Sequence, residues 1–147
     1  MVLSFTTQIR IERPVELVFD FVADPERFPA WNAQVRSVRP TSAGRKDVGA
    51  TYAMERDLPA GPAANVLEIV DRSAPGTFAV RAASGPTRFV HRYRFVPEPD
   101  GTATVLRLDA EVDLGAFVAL SGSLAHRVAL GGVESSLAAL KRLLETG

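Results

Sequence analysis

Apolar residues at the start of the chain fall on every second position. Between Leu3 and Glu12, Phe5, Thr7, Ile9 and Ile11 share one face, while Thr6, Gln8, Arg10 and Glu12 share the other. A period of two predicts a strand with one wet side. Arg13-Pro14 ends it. Pro14 suits the first turn of a helix, with Glu16 near the helix N-terminus, and Leu17, Val18, Phe21 and Val22 recur at helical spacing until Asp24-Pro25 closes the segment. Pro25 to Trp31 reads as a second short helix or turn, with Phe28 and Trp31 on one side.

From Val35 the period returns to two. Strands are predicted over Val35 to Pro40, Ala50 to Asp57, Asn65 to Arg72, Thr77 to Ala83, Thr87 to Val96 and Thr102 to Asp113. Turn residues separate them: Ser42-Ala43-Gly44, Leu58-Pro59-Ala60-Gly61-Pro62, Ala74-Pro75-Gly76, Ser84-Gly85-Pro86 and Pro97-Glu98-Pro99-Asp100-Gly101. Pro99-Asp100-Gly101 between two alternating runs is the clearest hairpin signal, and connections this short make neighbouring strands antiparallel. The last segment changes period again. At about 100° per residue, Leu130, Val133, Leu137, Leu140 and Leu144 form one face of a helix. Gly131-Gly132 lies on its far side, where a bend or weak point is expected.

The pattern is thus one strand, two short helices, six strands and one long helix. No repeat and no linker divides it, so residues 1–147 are expected to form a single α+β domain. The sheet, of six or seven strands, should curl around the C-terminal helix. One helix against so wide a sheet leaves space between the layers, and space lined by apolar side chains is a ligand pocket by default.

Composition narrows the function. Of 147 residues, 46% are apolar and 23% charged, which suits a globular domain. Lys+Arg and Asp+Glu both number 17. A net charge of zero lacks the basic footprint of a nucleic-acid binder or a polybasic membrane anchor. Cysteine is absent, which excludes disulfides and thiolate chemistry, and 2 His are too few for an all-histidine metal site. No metal and no cofactor are expected. The N-terminus shows no signal peptide, and Phe117 to Val133 is interrupted by Ser121, Ser123, His126 and Arg127, too polar to span a bilayer. A soluble cytoplasmic protein is the expectation.

Candidate chemistry follows from which side chains the alternation turns inward. Phe89, His91, Tyr93 and Phe95 share one face, and Arg88, Arg92 and Arg94 the other. An arginine row belongs in water, so His91 points inward. It is either a pocket acid/base or hydrogen-bond donor, or a structural imidazole. Catalysis is the less expected role and contact with the pocket the more expected one. His126 falls about 20° from the centre of the apolar helix face, one turn before Leu130. It either reaches water at the helix start or faces the same space. Tyr52, Met54 and Phe78 are inward-facing lining candidates, each with plain core packing as the simpler role. Arg56 shares their face; it either aims a guanidinium inward to bind a carboxylate or phenolate or, being close to a strand end, stays solvated, and the solvated reading is the more expected. Arg107, Asp109, Glu111 and Asp113 alternate with apolar residues, and a cross-strand charge ladder against the arginine row explains them better than paired catalytic carboxylates do. No P-loop, dinucleotide fingerprint or nucleophile elbow is present, and neither Gly115-Ala116-Phe117 nor Ser121-Gly122-Ser123 has the strand-turn-helix context of a nucleophile.

Several phrases carry a family likeness. They are the run from Ile9 through the Pro14-led segment to Asp24-Pro25 and Trp31, then Val48-Gly49-Ala50-Thr51-Tyr52, Val70-Asp71-Arg72-Ser73-Ala74-Pro75 and Tyr93-Arg94-Phe95-Val96-Pro97. Together with the element order they resemble the START superfamily in its polyketide cyclase/dehydrase-like branch, the SRPBCC proteins. The resemblance implies a helix-grip fold with a deep cavity between sheet and C-terminal helix, and it puts Trp31 at the cavity mouth. That superfamily includes lipid and hormone binders, aromatases and cyclases, and chaperone activators. The expected function is binding of a small hydrophobic or aromatic molecule by Trp31, Tyr52, Met54, Phe78, Phe89, His91, Tyr93, His126 and Leu130. The alternative is a cyclase or aromatase in which His91 or His126 moves protons, and a protein-interaction module is less expected.

Overall fold

The structure, a computed structural model, describes residues 2–44, 46–58, 61–113 and 122–146. Seven strands form one antiparallel sheet. They are β1 (Val2–Ile11), β2 (Val35–Pro40), β3 (Thr51–Leu58), β4 (Gly61–Ser73), β5 (Thr77–Ala82), β6 (Arg88–Pro97) and β7 (Thr104–Asp113). Their order is β1-β7-β6-β5-β4-β3-β2, so every consecutive pair after β1 is adjacent and β1 closes against β7. Helix α1 (Val15–Val22) follows β1; a 3₁₀ turn (Pro25–Arg27) leads into the single-turn α2 (Phe28–Trp31); and α3 (Gly122–Thr146) ends the chain. This is the helix-grip architecture that the periodicity and the family resemblance predict.

Local sequence explains most of these boundaries. Between β6 and β7, Gly101 takes a φ of +74° and the Asp100 carboxylate accepts from the Thr102 amide and hydroxyl at 3.0 and 2.9 Å, which fixes the hairpin. The connection between β3 and β4 is shorter than expected. Gly61 and Pro62 already pair with Leu58 and Asp57. Pro62 is tolerated because β5 pairs with β4 only from Leu67 onward, so this end of β4 is an edge where a missing N–H costs nothing. Pro59 and Ala60, between them, lie outside the described residues.

Three details depart from simple periodicity. Helix α1 buries Val15, Val18, Phe19 and Val22, and leaves Leu17 exposed, because the i, i+3, i+4, i+7 stripe beginning at Val15 outweighs the one through Leu17 and Phe21. Helix α3 runs unbroken through Gly131 and Gly132. The charge ladder is partial. Arg92 pairs in register with Asp109 and Arg88 with Asp113, but Arg94 stands opposite Arg107. Arg107 turns instead to Asp109 on its own strand, and the Thr6 hydroxyl donates to that carboxylate at 2.6 Å.

The C-terminal half of α3 holds the two layers together. Leu137, Leu140 and Leu144 are 2%, 0% and 7% exposed against the core formed with Phe19, Phe95, Leu106 and Leu108. Polar contacts fasten the same end of the helix to β1. Lys141 Nζ donates to the Arg10 carbonyl at 2.6 Å, the Glu12 amide donates to Glu145 at 2.8 Å, and Arg13 donates to the Glu145 carbonyl at 2.5 Å. Replacing Leu140 by Ala is expected to destabilise the protein by about 2–5 kcal/mol, whereas Leu143→Ala, on the outer side, should stay within about 0.5 kcal/mol. Urea unfolding of both variants measures this, and equal effects would show that the stripe is not the anchor.

Candidate ligand-binding site

Cross-strand register decides which side chains face α3. Phe5, Ala110, His91, Val80 and Ile69 lie opposite one another across five strands. The next row runs Val112, Phe89, Ala82, Leu67 and Tyr52. Residues directly opposite share a face, so His91 is held on the inner wall by buried neighbours on both sides. Along β6 the rings form a continuous row. Phe89 and His91 centroids are 4.5 Å apart, His91 meets Tyr93 edge-on at 6.2 Å, and Tyr93 stacks on Phe78 at 6.2 Å.

The layers are not equally closed along their length. Beside the sealed stripe of Leu137, Leu140 and Leu144, the first half of α3 is open. Apart from Ala125, its inward residues His126, Ala129, Leu130 and Val133 keep accessible surface, and so do Phe89, His91 and Val112 on the facing sheet. The imidazole of His126 packs edge-on against Phe5 at 5.7 Å, so it faces the sheet rather than water. These side chains still pack against the core, as His126 does on Phe5, but the surface they keep shows that the layers close less completely here than along the leucine stripe. Trp31, Tyr52, Met54, Phe78 and Tyr93 belong to the buried core behind this region, with Trp31 edge-on to Phe28 at 5.7 Å. The segment Leu114 to Ser121 and the readings that fell on it, including Phe117, lie outside the described residues.

The inner wall carries polar groups that the protein leaves uncommitted. His91 makes no hydrogen bond among the described residues. Burial drives its pKa down to about 4, with a smaller contribution from the positive charge of Arg56. His91 nevertheless keeps accessible surface, so it is surrounded by protein and still borders open space. Burial pushes the Tyr93 hydroxyl up from its ordinary range.

Arg56 is not the solvated side chain expected from its place near a strand end. It turns inward and lies over the Phe89 ring, with its guanidinium carbon 5.2 Å from the centroid. Nε and Nη2 donate to Asn65 Oδ1 at 3.0 and 2.8 Å, and Nη2 also donates to the Pro86 and Thr87 carbonyls and the Thr87 hydroxyl at 3.2, 3.1 and 2.7 Å. Asn65 in turn donates from Nδ2 to the Ser84 and Pro86 carbonyls at 2.6 and 3.1 Å. The loop needs Gly85 there, since an added Cβ would run into the Ala64 carbonyl and the Asn65 amide. Sequence reasoning missed Asn65, although its alternation with Leu67 and Ile69 places it on the inner face. The loop carbonyls leave no sequence signal at all. Arg72 is a further surprise. A bulge between Ile69 and Asp71 flips the alternation, so Arg72 pairs with Phe78 on the inner face and its guanidinium lies 5.3 Å from the Phe19 ring.

The sequence matches the family described as polyketide cyclase / dehydrase and lipid transport over residues 2–145, and the chain belongs to that family. Solved structures share its fold. A START superfamily protein from Mycobacterium smegmatis superposes with a TM-score of 0.84 at 14% identity, covering 97% of each chain. A protein from Deinococcus radiodurans gives 0.72 at 16% identity over 99% of this chain and 98% of its own. Ara h 8.0201 gives 0.74 at 10% identity over the whole of both chains. A search of curated protein sequences finds no match. No helix among the described residues is long and apolar enough to cross a membrane.

The depressed pKa of His91 sets a pH dependence. The unfolded chain binds a proton near pH 6.5 and the folded protein only near pH 4, so the unfolded state holds more protons in that window. The contribution is fully present above pH 6.5 and is lost as pH falls to 4. Allowing for the accessible part of the ring, it amounts to about 1–3 kcal/mol. Denaturation of wild type and His91→Gln between pH 4 and 7 should show the wild-type slope reduced by this amount in the variant. NMR titration of His91 near pH 6.5 would contradict it.

Proposed function

We propose that this protein binds a small hydrophobic or aromatic molecule between the sheet and the first half of α3, as a soluble cytoplasmic protein folded as one domain over residues 1–147. The observation that carries this reading is the apolar surface left accessible on both facing layers in that region, beside a helix half whose leucine stripe is sealed. Phe89, His91, His126 and Leu130 form the wall, and Trp31, Tyr52, Met54, Phe78 and Tyr93 supply the packed backing that holds it rigid. A rigid, apolar, partly formed wall with few polar groups is what a small-molecule site requires. The family's description, which includes lipid transport, supports the same reading.

Binding accounts for His91 better than proton transfer does. A general acid or base works best with a pKa near the operating pH, and an imidazole held near 4 is neutral throughout the physiological range. A neutral imidazole offers one donor and one acceptor, which suits a ketone, phenol or acid on a ligand. A cyclase or aromatase would use the same wall, but His91 could not serve it as the group that exchanges protons near neutral pH.

Native mass spectrometry of the purified protein tests the reading, with retention of a small organic molecule as the expected result. Leu130→Trp, which fills the open region from the helix side, should lower retention or affinity about tenfold or more while unfolding cooperatively. His91→Phe should weaken a polar-headed ligand by about 1–3 kcal/mol. If the wild type neither retains a ligand nor binds any apolar probe, the reading fails.

A further inference from the structure

We propose that the ligand carries a carboxylate and that Arg56 binds it, with Asn65 and the loop from Ser84 to Thr87 positioning the guanidinium. This rests on the ligand-binding reading above and names the chemistry of the ligand's head. At the surface, Arg10, Arg27, Arg36, Arg81 and Arg107 each meet an Asp or Glu; of the two arginines turned inward, Arg72 over Phe19 meets no acid among the described residues, and Arg56 stands in the same position. Arg56 meets none among the described residues. Its partners are an amide oxygen, two carbonyls and a hydroxyl, which orient the cation without neutralising it. The acidic residue next to it, Asp57, is engaged outside by Arg36.

The arrangement is one-sided. All the hydrogen bonds of Arg56 run from Nε and Nη2, and Nη1 makes none among the described residues. A guanidinium clamped along one edge presents its remaining N–H groups in a fixed direction, which is what recognition of a planar anion needs. Burial lowers the pKa of Arg56 to about 10, so it remains charged at neutral pH. A charge partly out of water without a counter-charge is costly, and an incoming carboxylate removes that cost. Thr87 holds a φ of +51°, unusual for a β-branched residue, and in that conformation both its carbonyl and its hydroxyl reach Arg56. Phe89 connects the two parts of the site. Its ring carries the guanidinium at 5.2 Å and contacts His91 at 4.5 Å, so a carboxylate on Arg56 would leave the ligand's apolar body along the ring row of β6.

Calorimetric titration of the full chain with two matched pairs tests this: naphthoic acid against acetonaphthone, and decanoic acid against decanol. The expected result is at least about tenfold tighter binding of each acid than of its neutral partner. Arg56→Met should abolish that preference while keeping affinity for the neutral members within about threefold. Arg56→Lys keeps the charge but not the fork, and serves if the Met variant does not fold. Its acid preference should fall by about threefold or more. Equal binding of acids and neutral partners by the wild type overturns the carboxylate inference and leaves the ligand-binding reading standing. An acid preference that survives unchanged in the Arg56 variants overturns the assignment to Arg56. Binding of none of the four compounds overturns the ligand-binding reading and this inference with it.

Discussion

The packing of Leu137, Leu140 and Leu144 onto the sheet is the constraint on which the rest of the structure depends. A single helix cannot cover a seven-stranded sheet, so the chain closes one half tightly and leaves the other unsealed. The closed half supplies stability, through buried leucines and the Lys141 and Glu145 contacts to β1. Because that anchor fixes one end of the helix on the sheet, the other half can close less tightly. Residues at full packing density and residues with accessible surface therefore lie on the same helix, about two turns apart.

The open half has an unusual polar composition for an interior. It brings together a neutral imidazole on the wall, a phenol in the core just behind it and a cation over Phe89, all on or beside one strand, β6, and all without a charged partner among the described residues. Groups placed only for stability would be expected to satisfy one another, because an unpaired buried polar group costs about 1–3 kcal/mol. Arg56 is stabilised instead by a strained loop and an inward Asn65. Stability given up at one place in an otherwise well-packed molecule points to a site that a ligand completes. His91 itself, kept neutral by burial across the physiological range, suits hydrogen bonding to a ligand better than proton transfer.

The family to which the chain belongs sets the architecture but leaves chemistry to the side chains within it. The solved relatives compared here share 10–16% of positions while keeping the whole fold. At that distance the sheet and helix persist because alternation and a leucine stripe are easily preserved by substitution. The inner wall is free to differ.

By itself the sequence determined the strands, the hairpin at Pro99-Asp100-Gly101, the face assignment of β6 and the stripe of α3, because each depends on a local period or a local turn. Phe89, His91 and Tyr93 were legible as inward for the same reason: an arginine row on the opposite face leaves them no other side. Tertiary structure decided the rest. The bulge between Ile69 and Asp71 moved Arg72 to the inner face, and one inserted residue is invisible to a period-two pattern. The orientation of Arg56 depended on carbonyls of the Ser84 to Thr87 loop, which are backbone groups carried by every residue and so have no signature in sequence. The division of α3 into a sealed and an open half also came only from three dimensions. Leu130 and Leu137 lie on one helical face, and what separates them is how closely the curved sheet approaches each.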